Sequence, residues 1–275
     1  VWENLIVWVA GCIEHGTHGN LAHARIDQLL AQYDPDERDA RKTGRPLSLS
    51  GRIFKGFDRA VHVAAEELRP PADADVSHGM IVDPAIGKPL AVVWRWVDKA
   101  GVLHYYDEYP ETQFEGAKDS NLTVAEYASL FKGRETGRKI ETRVLDRHFG
   151  NARRTLGGLT LKQEFGEAGL DFQDSYKLPD DVEVETGILK VKDYLRWDAS
   201  KSRDSLNRPR IEVSPKCKNL IAGFDRWCRD PKTGKPMQAF KDFMDLVRYD
   251  VMSEPVVEVQ RDWSGLRMPH YGVNV

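Results

Sequence analysis

The chain has 275 residues, 41% of them hydrophobic and 30% charged, with a formal net charge of −3. That is enough apolar material for one large domain, or one domain with an appendage, and too much charge for a fibrous or membrane-embedded chain. No apolar run nears the ~20 residues that span a bilayer, and an acidic chain does not hold nucleic acid by overall charge alone.

Taken from the start, 5–12 is an apolar run of strand length, preceded by Glu3 where a signal peptide wants Lys or Arg. The chain begins at Val1 rather than Met, which points to a piece of a longer polypeptide. Cys12, Cys217 and Cys228 are odd in number and form no C-x-x-C pair, so they read as idle thiols in a reducing compartment. His15, His18 and His23 match no common zinc spacing. A helix is predicted over 21–32, with Ile26, Leu29 and Leu30 on one side, and Asp34-Pro35 opens a second. Residues 47–57 read as a loop running into a short strand. The segment 69–75 (R-P-P-A-D-A-D) is the best linker candidate. The expected organisation is a small, mainly helical segment over 1–76, a domain over 77–255 and a tail over 256–275.

After the linker, 80–83 (M-I-V-D) is a short buried strand ending in an acid. Two more strands follow over 89–98 and 103–109, with Lys99-Ala-Gly101 as the turn, and three runs so closely joined predict an antiparallel meander. Trp94 and Trp96 share one face of their strand and read as packing residues rather than base-stacking ones. Thr123, with Glu126 three residues on, caps a helix over 124–133. The strand over 139–145 again ends in an acid, Asp146. Helices are predicted over 160–168, 184–197, 219–229 and 238–252, with a strand at 210–213 before the last two.

Three positions in this order carry chemistry. Cleaving a phosphodiester with two hard cations needs carboxylates from separate elements, and strand ends supply them where the chain leaves the packed sheet. Asp83 and Asp146 fit. Asp242 and Asp245, three apart on a helix, share a face with Arg248. Each acid alone also reads as a turn former, a cap or a salt-bridged surface group, with Lys241 or Arg248 as partner. Their joint order (after the first strand, after the fourth, in a late helix) is the ribonuclease-H-like layout, so the fold class expected is a mixed α/β sheet flanked by helices. Arg248 and Tyr249 read as braces for the late helix. Arg147, Arg153 and Arg154 just past Asp146, and Lys190 and Lys192 on the helix over 184–197, are the candidate phosphate contacts. A solvated surface explains them as well.

The motifs I-V-D-P-A-I-G-K-P-L-A-V-V-W (81–94), V-L-D-R-H-F-G-N-A (144–152), E-T-G-I-L-K-V-K-D-Y-L (185–195) and K-D-F-M-D-L-V-R-Y (241–249) come in one order across about two-thirds of the chain. Together they resemble the nuclease domain of the large terminase subunit of tailed bacteriophages. G-R-I-F-K-G-F-D-R-A-V-H-V (51–63) resembles the end of the packaging ATPase that precedes it. The resemblance implies a metal-dependent endonuclease that cuts double-stranded viral DNA during packaging. Its metals would be two Mg²⁺ or Mn²⁺ ions on Asp83, Asp146 and Asp245, with Asp242 beside them. It further implies the portal protein and small terminase subunit as partners, the host cytoplasm as location, and an oligomer only in the full-length motor. Phe243 stands where many members of the family have His, and Leu246 where they have Ala, so no imidazole is available there. No G-x-x-x-x-G-K-[ST] phosphate loop occurs, so the ATP-hydrolysing half is outside this chain. A resolvase or integrase of the same fold, or a non-catalytic portal-docking module, would share parts of this pattern.

Overall fold

A computed structural model describes residues 51–71, 76–85, 87–118, 120–153, 158–175, 180–202, 204 and 207–257. The expected helices before residue 50, the three clustered histidines, Cys12, Arg154 and most of the tail lie outside these residues.

The three runs expected to form a meander do so. β1 (Val76–Asp83), β2 (Ala91–Asp98) and β3 (Leu103–Tyr109) pair antiparallel, with Asp83 opposite Ala91 and Val76 opposite Asp98. β4 (Thr142–Leu145) lies parallel to β1, and the two-residue β5 (Gln173–Asp174) parallel to β4. β6 (Ile211–Val213) lies parallel to β3, so the sheet order is β5-β4-β1-β2-β3-β6. The fourth strand is shorter than the expected 139–145. Glu141 fastens to β1 through both ends instead, its N–H donating to the His78 carbonyl at 3.0 Å and its carboxylate accepting from the His78 N–H at 2.7 Å.

The helices are α1 (Arg59–His62), α2 (Val124–Arg134), α3 (Arg147–Gly150), α4 (Leu161–Glu167), α5 (Asp180–Leu195), α6 (Lys218–Arg226) and α7 (Lys241–Met252). α2 and α4 both start with reciprocal capping boxes, Thr123 with Glu126 and Thr160 with Gln163, because each pair satisfies two amide N–H groups that the first turn leaves open.

Strand side chains alternate between faces, and the cores follow that alternation. Met80 and Val82 pack with Trp94, Trp96 and the apolar stripes of α2 and α4. Ile81, Ala91, Val93 and Leu103 pack on the other face under α5, α6 and α7. Both tryptophans are buried as expected, Trp94 donating its indole N–H to Glu135 Oε1 at 3.2 Å. Between them Arg95 points to the opposite face, where it is equally buried against Asp250 of α7.

Residues 51–63 pack on the same core. Phe57 stacks on Phe224 with centroids 4.5 Å apart, Phe54 touches Phe224 and Trp227, and the Ile53 N–H donates to the Trp227 carbonyl at 2.9 Å. In place of the short strand expected near 57, the described residues 51–57 make one bridge, Arg52 with Cys228, and α1 follows, capped by the Asp58 carboxylate. Among the described residues no helix is long and apolar enough to cross a membrane.

Candidate metal centre

The alternation that buries Ile81 under α7 carries Asp83, two residues on, to the same face. β4 repeats this with Val144 and Asp146. Because β1 and β4 run parallel, with Val82 beside Leu145, both aspartates emerge at one end of neighbouring strands, and the Asp146 N–H donates to the Val82 carbonyl at 3.1 Å. Asp146 also caps α3, accepting from the Phe149 N–H at 2.8 Å.

α7 crosses this end of the sheet and brings the third and fourth acids. Asp242 sits in its first turn and Asp245 one turn later. Asp83, Asp146 and Asp245 are 8%, 5% and 3% exposed, so each of the three carboxylates is largely desolvated. The consequence shows on Asp83. Burial first, then the charges of Asp245, Asp146 and Asp242, raise its pKa well above the usual carboxylate range, with Lys241 opposing. One residue thus registers all three other acids.

Polar partners hold the acids in place. The Tyr249 hydroxyl, one turn beyond Asp245, donates to Asp146 Oδ2 at 3.0 Å; burial and then Asp83, Asp245 and Asp146 push its pKa up, so it stays a donor. Arg248, 2% exposed, pairs closely with Asp245. Lys241 Nζ lies 3.1 Å from Asp245 Oδ2, and Lys88 Nζ lies 3.0 Å from Asp242 Oδ2. Burial pulls the Lys241 pKa down, but the attraction of Asp245 and Asp83 outweighs it and the net direction is up. Lys88 and the Tyr249 contact escape sequence reasoning. A signal for Lys88 exists in the glycine before it, which takes a positive φ (+71°) in the turn after β1. Tyr249 reads from the sequence only as a brace for its helix, and its reach to Asp146 depends on how α7 docks.

The donor set suits a hard divalent cation: all oxygen, from three elements, with excess negative charge that a metal would offset. Among the described residues, however, no three acidic, histidine or cysteine side chains are gathered closely enough to enclose an ion as they stand. Lys88 is paired with Asp242, and Lys241 and Arg248 are paired with Asp245. Phe243 fills the histidine position of the resemblance with an apolar ring, 3% exposed and edge-on to Phe114 at 5.3 Å.

The candidate phosphate contacts divide. The Arg147 N–H donates to Ser175 Oγ at 3.1 Å, and its Nη1 is buried without a hydrogen-bond partner among the described residues. Arg153 is exposed and bridged to Thr160. Lys190 is committed to Glu254 at 2.6 Å, while Lys192 lies half-buried on α5 within electrostatic reach of Glu185. Arg154 lies outside the described residues.

No family model matches the chain. The large terminase subunit of Salmonella phage P22 is 25% identical over 239 residues, which is 86% of this chain. That of Enterobacteria phage LP7 is 25% identical over 229 residues, or 82%. The chain spans 42% of the length of each. Among solved structures, the nuclease domain of the P22 large terminase superposes with a TM-score of 0.54 at 22% identity, over 74% of this chain and 92% of that domain. The large terminase of a thermophilic bacteriophage gives 0.58 at 15% identity, over 85% of this chain and 53% of that one. The chain is thus similar in sequence to the large terminase subunits of phages P22 and LP7, and similar in fold to the nuclease domain of the P22 large terminase.

Proposed function

We propose that this chain is the nuclease portion of a DNA-packaging terminase, over 77–255, and that it hydrolyses phosphodiester bonds of double-stranded DNA with bound Mg²⁺ or Mn²⁺. The observation that supports this reading is that Asp83 and Asp146 end neighbouring parallel strands, while the helix packed on β1 carries Asp242 and Asp245, whose charges Asp83 feels. Four buried or half-buried acids repel one another, and a fold retains such an arrangement where a cation or substrate uses it.

Asp83, Asp146 and Asp245 would hold the ions, with Asp242 completing the set. When bound, divalent ions supply Lewis-acid polarisation of the phosphate and lower the pKa of water. The chain does the rest. Tyr249 fixes the orientation of Asp146, Arg248 anchors Asp245, and the apolar cores under both sheet faces keep the two strand ends in register. Arg147, whose Nη1 is buried without a hydrogen-bond partner among the described residues, would receive a phosphate oxygen, and Arg153, Arg154 and Lys192 would line the DNA path; Lys190 would first have to leave Glu254. The portal protein and small terminase subunit would be partners of the full-length motor in the host cytoplasm, and oligomerisation would belong to that motor.

The test is cleavage of supercoiled plasmid in Mn²⁺ by the unmodified chain and by Asp83→Ala. The variant should lose cleavage while melting at or above the unmodified temperature, because one of four repelling charges is gone. Full cleavage by the variant would remove the assignment. Absence of cleavage by the unmodified chain in any divalent metal would favour a non-catalytic docking module instead.

A further inference from the structure

The acids already have positive charge against them, and it arrives in two different ways. Arg248 is buried with Asp245, side chains 3% and 4% exposed, as a fixed part of α7. Lys241 and Lys88 reach in from the rim, one from the first turn of α7 and one from the turn after β1, with side chains 30% and 32% exposed. A lysine is a point charge on a flexible stem that can swing into water without breaking the fold; a buried guanidinium cannot. The lysines also sit on the two carboxylates, Asp245 and Asp242, that α7 contributes. An ordinary exposed i,i+4 pair would be worth little and would be indifferent to a metal. Lys241 differs in that the carboxylate it meets, Asp245, is buried (4% exposed) and already holds Arg248.

Resting on the metal reading above, we propose that Lys241 and Lys88 are resident counter-cations, which hold the α7 carboxylates when no divalent ion is bound and compete with that ion for the same oxygens. Metal entry then requires the lysines to leave, and leaving frees two ammonium groups at the mouth of the site. The chain stays folded without metal because the lysines lower the repulsion among the acids, and it binds metal more weakly than four carboxylates otherwise would.

The experiment is Mn²⁺ titration calorimetry on the whole chain, with melting temperatures measured in EDTA and in saturating Mn²⁺. Lys241→Met should bind Mn²⁺ about tenfold more tightly, since the ammonium that lies 3.1 Å from Asp245 Oδ2 and competes for that oxygen is removed. It should melt lower than the unmodified chain in EDTA, and the difference should close in saturating Mn²⁺. Lys241→Arg should leave the affinity unchanged, Lys88→Met should raise it by less, and Lys241→Gln repeats the test with a second neutral side chain. Unchanged or weaker Mn²⁺ binding in both neutral variants, or a melting deficit equal with and without Mn²⁺, would make Lys241 a structural residue and overturn the inference. That failure is distinct from failure of the metal reading, in which the unmodified chain binds no Mn²⁺ or Asp83→Ala binds it undiminished; either result overturns both.

Discussion

Tyr249 shows how one hydroxyl can matter at a site without entering its chemistry. Its bond to Asp146 Oδ2 leaves the other Asp146 oxygen to cap α3, so the carboxylate has a fixed orientation. Partners that orient metal-binding carboxylates contribute roughly 10–100-fold to affinity, whereas one hydrogen bond contributes about 1 kcal/mol to stability. Tyr249→Phe should therefore weaken Mn²⁺ binding at least about tenfold in calorimetry while moving the urea midpoint little; the reverse pattern would mean a packing role. Glu108 makes a different prediction. It is 2% exposed and its two oxygens accept from the Asn219 and Leu220 N–H groups at the start of α6. Burial nevertheless raises its pKa from 4.5 to about 7, against the pull of those N–H groups. The folded chain therefore binds the proton that the unfolded chain has lost between those values, so this contribution is complete below pH 4.5 and is lost as pH rises through about 7. The loss amounts to about 3 kcal/mol. Asp83 acts in the same direction. Urea unfolding of Glu108→Gln across this range should show a lower starting stability, because one N–H loses its acceptor, and a flatter decline with pH. Parallel declines would refute the account.

At the scale of elements, local chemistry and tertiary contact wrote different boundaries. The capping boxes at Thr123 and Thr160 lie within four residues of sequence, and the helices they start are legible to within a residue. The pattern predicts α7 from 238, and the helix begins at Lys241. Phe240 before it is left-handed (φ +62°), and its N–H donates to Glu115 Oε1 at 2.6 Å, a partner 125 residues away. β5 and α3 have two and four residues, too short to carry any period. The segment 51–63 reads as the end of a preceding unit, yet Phe54 is fully buried between Phe224 and Trp227. Phe54→Ala should cost about 3–5 kcal/mol in urea unfolding. A cost under about 1 kcal/mol would mean that this segment is an appendage to the nuclease core.

Across the molecule, the site depends on α7 crossing the sheet at one place, and a buried polar knot fastens that crossing. Arg95 Nε donates to Asp250 at 3.1 Å, Arg95 Nη1 donates to the Ser77 carbonyl at 3.0 Å, and the Tyr105 hydroxyl donates to Asp250 at 2.9 Å. Gly79 leaves the room, since a Cβ there would stand 2.5 Å from the Arg95 guanidinium carbon. Asp250→Ala strands a buried cation and should destabilise the chain by about 3–5 kcal/mol. It should also lower Mn²⁺ affinity, because Asp245 and Tyr249 ride on the same helix; a large stability loss with normal Mn²⁺ affinity would show that the crossing is held elsewhere. From the sequence alone came the meander, the helix capped at Thr123 and the order of the acids, because alternation, capping and strand-end positions are local and periodic. Docking decided that Asp83 and Asp146 emerge side by side, that α7 lays Asp242, Asp245 and Tyr249 over them, that Lys88 returns to the cluster, and that Arg95 is a core residue. Those facts depend on which surfaces pack together, and no spacing along the chain encodes the distance between residues 83 and 245.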